Sequence, residues 1–393
     1  NFFHLYKSNI PLILFTINII CVNVLFFFTY GTSLKIWSES GYIDREFTFF
    51  ESMYENFGVK FILFTFGDSE DEKYCSKLNF VNVIPVYKYI KKRKSKIADI
   101  IFTIFKLKKI LNEQIEQPDL IKTNQLYGSW LALIAKFIVK KPLIVRTGYD
   151  LFLFSVKDKK NIFKILTYYL LTFTTLNFSN LYTVTSKNDF KFISRYYLFK
   201  KKKLKLRNNW VPNLEETVKP GRRDKLFLAV GRLEEQKDYQ YLINAFTKTN
   251  FQLDIIGRGS LRKDLEKISN ENINFLDNLS FYDLNQIYKN YTFYISSTKY
   301  EGNPKSILEA MSKGCVVIAP NIINISEIIE NNRTGILYSK RKDNLIDVIN
   351  SILNDMDKIE LISKNAQEHT KKCNSLEKFV HEEFKDYEAL IRK

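Results

Sequence analysis

Short apolar runs alternate with longer stretches in which apolar residues recur every three to four positions, and the alternation continues along the whole chain. Runs of four to eight residues rich in β-branched and aromatic side chains fit buried strands, and the longer periodic stretches fit helices that cover them. In the first half the pattern predicts strands at Val22–Thr29, Val59–Phe66, Val81–Ile84, Asp119–Thr123, Leu143–Thr147 and Leu181–Thr185, with helices such as Ser95–Leu111 and Ser129–Val139 between them. The basic run KKKLKLR (Lys201–Arg207) and the turn-prone NNWVPN interrupt this pattern, and VKPGRRD (Val218–Asp224) reads as a linker. Strands then recur at Leu226–Val230, Gln252–Ile256, Ile273–Leu276, Thr292–Ser296, Cys315–Ala319 and Gly335–Tyr338. Strand–helix alternation of this kind implies parallel sheets covered on both faces, so the fold class is α/β. Two doubly wound domains in tandem leave a cleft at the carboxyl ends of their strands. The expected division is an apolar leader at 1–20, a first domain at 21–217, a second at 218–374, and a C-terminal helix at 375–393 that packs back toward the first domain.

The start of the chain qualifies this picture. No charge occurs from Ser8 to Leu34, a run long enough on paper to cross a bilayer. However, Val22–Gly31 reads as a strand ending in a glycine turn. What remains is about a dozen apolar residues interrupted by Pro11 and Asn18, too few to span. FKILTYYLLTFTTL (Phe163–Leu176) is likewise short for a span and reads as a buried or interfacial helix.

Composition narrows the function classes. With 393 residues and 45% hydrophobic content, the chain can build two ordinary cores. Its four cysteines (Cys21, Cys75, Cys315, Cys373) are scattered, which suggests a reducing compartment and neither a disulfide framework nor a zinc site. Three histidines (His4, His369, His381) leave little material for a histidine metal site or a Ser-His-Asp triad. The formal charge of +17 is unevenly placed: 33 Lys/Arg stand against 16 Asp/Glu through Asn213, and 27 against 27 beyond it. A codon bias toward lysine explains the abundance but not the asymmetry. A basic first half can serve nucleic acid, an anionic membrane face or an anionic acceptor. No recognised nucleic-acid motif accompanies the charge, so nucleic acid is disfavoured. Tyr87–Leu111 joins a basic run to Ile101, Phe102, Phe105, Leu107 and Leu111, which fits either a membrane-surface helix or a core-facing helix with a solvated lysine side.

Candidate chemistry concentrates in the second half. LAVGRLEEQKDYQYLINAF (Leu228–Phe246) is a strand, a glycine turn and a helix, with Arg232 and Lys237 leaving the turn where a strand-end ligand would lie. Two cations there suit an anion, a diphosphate above all. LDIIGRGSLRKDL (Leu253–Leu265) opens through Gly257 and Gly259, glycines that would let a ligand approach the backbone, but it lacks the full dinucleotide fingerprint. In YEGNPKSILEAMSKG (Tyr300–Gly314), Asn303 reads as a helix cap and Pro304 as the first helical residue. Glu301 then precedes the helix and Glu309 sits in its second turn, both able to border one cleft; the alternative is a solvated surface helix. GDSEDE (Gly67–Glu72) reads as a solvated acidic loop in preference to a metal site.

These motifs in this order, GRLEEQKD, IIGRGSL and EGNPKSILEAMSKGCVVIAPNIINISEIIENNRTGILY, resemble the C-terminal domain of family-4 glycosyltransferases, strongly over Lys225–Tyr338 and more loosely before it. The resemblance implies the GT-B fold, two Rossmann-like domains facing each other across a cleft, and retaining transfer from a nucleotide sugar without a metal or other cofactor. It places Arg232 and Lys237 on the diphosphate, Glu301 beside the donor sugar, Gly302, Asn303 and Pro304 around its hydroxyls, and Glu309 on the ribose. Glu327 matches a downstream structural glutamate. Many members carry a His-Gly segment where this chain has Thr147 and Gly148, so Thr147 and Asp150 become candidates on the acceptor or sugar side. The first glycine loop is matched only through Gly31. The implied partners are a nucleotide sugar, a glycan or lipid-linked acceptor of cell-surface polysaccharide or lipopolysaccharide synthesis, and an anionic membrane surface, with a cytoplasmic or inner-face location. A non-catalytic nucleotide-sugar-binding partner is the alternative.

Overall fold

The computed structural model describes residues 21–115, 117–212, 218–219 and 226–392. The apolar leader and most of the Val218–Asp224 linker lie outside the described residues. The first domain holds a seven-stranded parallel sheet of β1 (Asn23–Phe27), β2 (Lys60–Thr65), β3 (Val81–Pro85), β4 (Leu120–Thr123), β5 (Leu143–Thr147), β6 (Leu181–Val184) and β7 (Leu204–Leu206), in the order β3-β2-β1-β4-β5-β6-β7. The second holds six parallel strands, β8 (Leu226–Val230), β9 (Gln252–Ile256), β10 (Ile273–Leu276), β11 (Phe293–Ile295), β12 (Val316–Pro320) and β13 (Ile336–Tyr338), in the order β10-β9-β8-β11-β12-β13. The winding reverses between β1 and β4 and again between β8 and β11. Such switch points open crevices outside the strand ends. All twelve predicted strands are present. The addition is β7, hidden in the lysine run read as a boundary: only Leu204 of its three residues is buried, so it carries almost no strand pattern.

Helix Leu376–Ile391 crosses back to the first domain. Phe379 meets Phe49 with ring centroids 5.6 Å apart, and Phe384 stacks on Phe57 at 4.1 Å. Beneath it, Lys122 of β4 is buried and gives its ammonium to Glu383 and to the Tyr387 hydroxyl at 3.1 Å. Asp386 accepts from Lys205 at 2.5 Å and Arg207 at 2.7 Å. The two passages between domains run side by side: Val211 N–H donates to Asn374 O at 2.8 Å and Leu376 N–H to Val211 O at 3.0 Å. The outgoing strand end and the returning helix therefore share one hinge.

The buried Lys122–Glu383 pair should matter asymmetrically, because removing one partner strands the other charge. Glu383→Ala should lower stability by about 3–5 kcal/mol in denaturant titrations, while the Lys122→Met/Glu383→Leu double variant should regain most of it.

Candidate active site

The site is assembled from turns at the carboxyl ends of the second sheet. After β8 the chain passes Gly231 and turns through Glu235–Lys237 into helix Tyr239–Phe246. After β9 comes Gly257, where an added Cβ would lie 2.0 Å from Gly231 O; at Gly259 it would lie 2.3 Å from Leu233 O. These glycines admit the neighbouring turn, backbone against backbone, a packing reason for glycine that stands beside the expected approach of a ligand. Glu234 locks the pair of turns by accepting from the Ser260 N–H at 2.9 Å and its hydroxyl at 2.8 Å, and the Ser260 N–H holds the Glu234 carboxyl below its ordinary pKa.

The same turn delivers the cations. Lys237 donates to Glu301, and Gln236 Nε2 donates to Tyr300 O at 2.8 Å. Arg232 is exposed, with its guanidinium 3.3 Å from Gln236 Oε1. Lys237 and Glu301 line a recess with Ser297 and Ser306. Arg232, Lys237 and Glu301 thus come from one small region, although 69 positions separate the first from the last.

Gly302 reaches the first domain. A Cβ on it would sit 2.4 Å from Gly148 O and 3.0 Å from Tyr149 Cβ. Gly302 O accepts from Asn324 Nδ2 at 2.9 Å, and the Thr185 hydroxyl donates to Gly148 O at 2.7 Å. Asn303 does not cap the helix as its sequence suggests. The helix runs Lys305–Ser312, and Pro304 holds the cap position with no side-chain bond. Asn303 instead spans the domains: Oδ1 accepts from Asn209 N–H at 3.1 Å, and its carbonyl accepts from Asn209 Nδ2 at 2.6 Å. Glu327 spans them too, accepting from Lys187 N–H at 2.7 Å.

Glu309 is not a solvated helical residue. It is buried, and its Oε1 lies 3.4 Å from Nε of Arg45, a first-domain residue whose guanidinium sits 4.2 Å over the Trp210 ring. One turn earlier Lys305 meets Glu46 at 3.4 Å. Sequence reasoning missed Arg45 and Glu46; as ordinary charges on the amphipathic helix Ile43–Phe57, they carry no local signal.

The remaining first-domain candidates have structural duties. Thr147 is buried and its hydroxyl donates to Tyr149 O at 2.5 Å. Asp150 is fully buried and caps helix Leu151–Lys157, with Oδ1 accepting from Leu153 N–H at 2.6 Å. Its Oδ2 has no hydrogen-bond partner among the described residues, and burial pushes the acid up to about 6. Gly31 is exposed at φ +79° with open space around it. The helix it introduces, Leu34–Glu39, already holds an anion: Asp71 accepts from the N–H groups of Leu34 at 3.1 Å and Lys35 at 3.2 Å, and from the Thr65 hydroxyl at 2.6 Å. That corrects the reading of GDSEDE as wholly solvated. Asp71 is buried, Asp68 caps the following turn, and Glu70 and Glu72 pair with Lys35 and Lys88. Among the described residues no group of three or more His, Cys, Asp or Glu is placed to hold a metal ion.

With this geometry in view, the likeness to known proteins is informative. Residues 213–369 match the family model described as glycosyl transferases group 1. That match falls on the second domain. The chain is 26% identical over 361 residues to protein CapJ of Staphylococcus aureus, covering 87% of this chain and 86% of that protein. It is 31% identical over 154 residues to an uncharacterised glycosyltransferase of Methanocaldococcus jannaschii, covering 37% of this chain and 40% of the relative. Alignments with two further relatives, 30% and 29% identical, also span under half of their length, 24% and 48%. Among solved structures, the Anabaena protein HepE in complex with UDP and glucose superposes with TM-score 0.73 at 17% identity, covering 94% of this chain and all of that one. Sucrose-phosphate synthase of Thermosynechococcus elongatus superposes with TM-score 0.76 at 15% identity, over 94% of this chain and 99% of that one. The fold is therefore GT-B, two Rossmann-like domains meeting at a cleft.

Asp189 offers a test of the first domain's buried acids. Among the described residues neither of its oxygens has a hydrogen-bond partner, and burial together with Asp150 pushes its pKa from 3.8 to about 7. The folded state therefore keeps a proton that the unfolded chain releases, so stability falls as pH rises from about 4 through 7. Asp189→Asn should flatten this slope: its Tm should match the parent at pH 4 and exceed it at pH 8. Parallel pH profiles would contradict the assignment.

Proposed function

We propose that this protein is a retaining glycosyltransferase that moves a sugar from a nucleotide-sugar donor to a glycan or lipid-linked acceptor in the synthesis of cell-surface polysaccharide or lipopolysaccharide, without a metal ion. The observation that carries the reading is the meeting of Lys237 with Glu301 beside Arg232, at the end of the second sheet and against the first domain. The group 1 match over this domain supports it, as do a relative named for capsule formation and a GT-B neighbour holding UDP and glucose.

In this reading the diphosphate of the donor lies along Arg232 and Lys237, the sugar against the Glu301–Pro304 loop, and the ribose on Glu309. As the bond from the anomeric carbon to the diphosphate oxygen breaks, negative charge grows on the diphosphate and positive charge on the carbon. Cations already fixed in place stabilise that separation without reorganising, and removing one such group typically costs ~10²–10³ in rate. The acceptor hydroxyl attacks from the face the diphosphate leaves, and its proton passes to a diphosphate oxygen. Configuration is thereby retained. Glu301 is not the nucleophile in this scheme: its carboxylate is engaged by Lys237, which suits it to hold the sugar and the cation together. Metal independence is supported by the commitments of the GDSEDE acids, whose oxygens serve backbone N–H groups and lysines.

Lys237→Ala should reduce turnover of the accepted nucleotide sugar by about 10²–10³, measured as released nucleoside diphosphate, with the fold retained by circular dichroism. Unchanged turnover would remove Lys237 from the reaction. In a thermal-shift panel the matching nucleoside diphosphate should stabilise the parent, by about 2.7 kcal/mol at a hundredfold excess over Kd.

A further inference from the structure

We infer that the first domain docks on an anionic lipid bilayer through an apolar face built from helices Lys96–Gln114 and Ile162–Phe178 and flanked by two lysine clusters. Helix Lys96–Gln114 buries Thr103, Leu107, Ile110 and Leu111, while its outer edge presents Ile97, Ile101 and Phe105 at four-residue spacing, with Ile97 71% and Phe105 77% exposed. Helix Ile162–Phe178 is more unusual. Its buried positions are Thr172, Thr175 and Leu176, whereas Ile162, Phe163, Leu166 and Leu170 face outward, Phe163 being 76% exposed. The outer side is thus apolar, like the inner side on which Tyr169, Leu171 and Phe173 join Leu176 against the core, and no charge follows Lys164 in the helix. A water-facing helix of a globular domain carries the opposite pattern.

The two helices are neighbours in space. The Lys96 ammonium lies 5.1 Å from the Tyr127 ring, and that ring lies 6.3 Å from Tyr168. Cations border the apolar edge on either side. Lys91, Lys92, Arg93 and Lys94 precede the first helix and Lys96 opens it, and Lys157, Lys159, Lys160 and Lys164 surround the start of the second. Among the described residues, Lys91, Lys94, Lys159 and Lys164 pair with no carboxylate. Lysine stems can lie along the acyl boundary while their heads meet lipid phosphates, and the apolar edge enters the headgroup region.

Charge decides the occupant. A nucleic acid would answer the lysines but not Ile162, Phe163 and Leu166. A second copy would set lysine cluster against lysine cluster. An anionic bilayer answers both features. No helix among the described residues is long and apolar enough to cross a membrane, so the contact is a surface one. The face also adjoins the cleft, because the Lys157 ammonium lies 5.4 Å from the ring of Tyr300, next to Glu301. Docking would hold the cleft at the height of lipid headgroups. The inference draws its purpose from the lipid-linked acceptor reading, but lipid binding is measured without turnover, so the two can fail separately.

The test is co-sedimentation of the full chain with vesicles of phosphatidylcholine containing about 30% phosphatidylglycerol, and with pure phosphatidylcholine. Binding should require the anionic lipid and weaken with salt. Phe163→Ser/Leu166→Ser, and separately Lys91→Gln/Lys92→Gln/Lys94→Gln, should each lose roughly tenfold or more in affinity with Tm unchanged. Equal binding by parent and both variants, whether strong or absent, would overturn the inference. So would a parent that self-associates in sedimentation velocity, or binds a single-stranded oligonucleotide, through this face while ignoring the vesicles.

Discussion

The contact of Gly302 with Gly148 is the constraint on which the rest of the arrangement depends. The missing β carbon of Gly302 lets the loop before helix Lys305–Ser312 lie directly on the Gly148 carbonyl in the turn after β5. A methyl group on Gly302 would fall inside the Gly148 carbonyl. Because the backbones touch, Asn303 can exchange two hydrogen bonds with Asn209, Asn324 can hold the Gly302 carbonyl, and Glu327 can receive the Lys187 N–H. These polar contacts give the seam a single register, which apolar surface alone would not specify.

That seam bears on chemistry because the same loop carries Glu301 on its other side. Glu301 is tied to Lys237 within its own domain, and the adjoining residues are tied to the partner domain. Closure and alignment of the charged groups are therefore one event. Arg45 and Glu46 extend this to the next helix, where Glu309 and Lys305 each find an opposite charge from the first domain. Charges buried this way are costly when unpaired, and each of these has its partner across the seam. A donor ribose at Glu309 would compete with, or share, the carboxylate that Arg45 now approaches.

Much of this was legible in the amino-acid pattern. Buried parallel strands are near-continuous apolar runs, so twelve of them could be placed by inspection, and motif order singled out the half that matches the group 1 glycosyl transferase model. The failures share a cause, since they involve residues whose role is set by a distant partner. The three residues of β7 are an edge strand among lysines. Asn303 sits where a cap belongs but bonds to Asn209, 94 positions away. Asp71 lies in an acidic loop yet closes a helix 36 positions earlier. Gly257 and Gly259 signal close approach correctly, but what approaches is another turn of the same domain. Arg45 and Glu383 carry no local signal because helix periodicity reports which face is polar, not which polar face is later covered, and Lys122 sits in a strand with its partner 261 positions away.

The central claim is that one bound ligand engages turns from both domains at this seam. Hydrogen–deuterium exchange with and without a saturating nucleoside diphosphate sugar addresses it most directly. The account predicts joint protection of 231–237 and 301–309 in the second domain and of 147–150 in the first. Protection confined to one domain, or centred away from these segments, would contradict it.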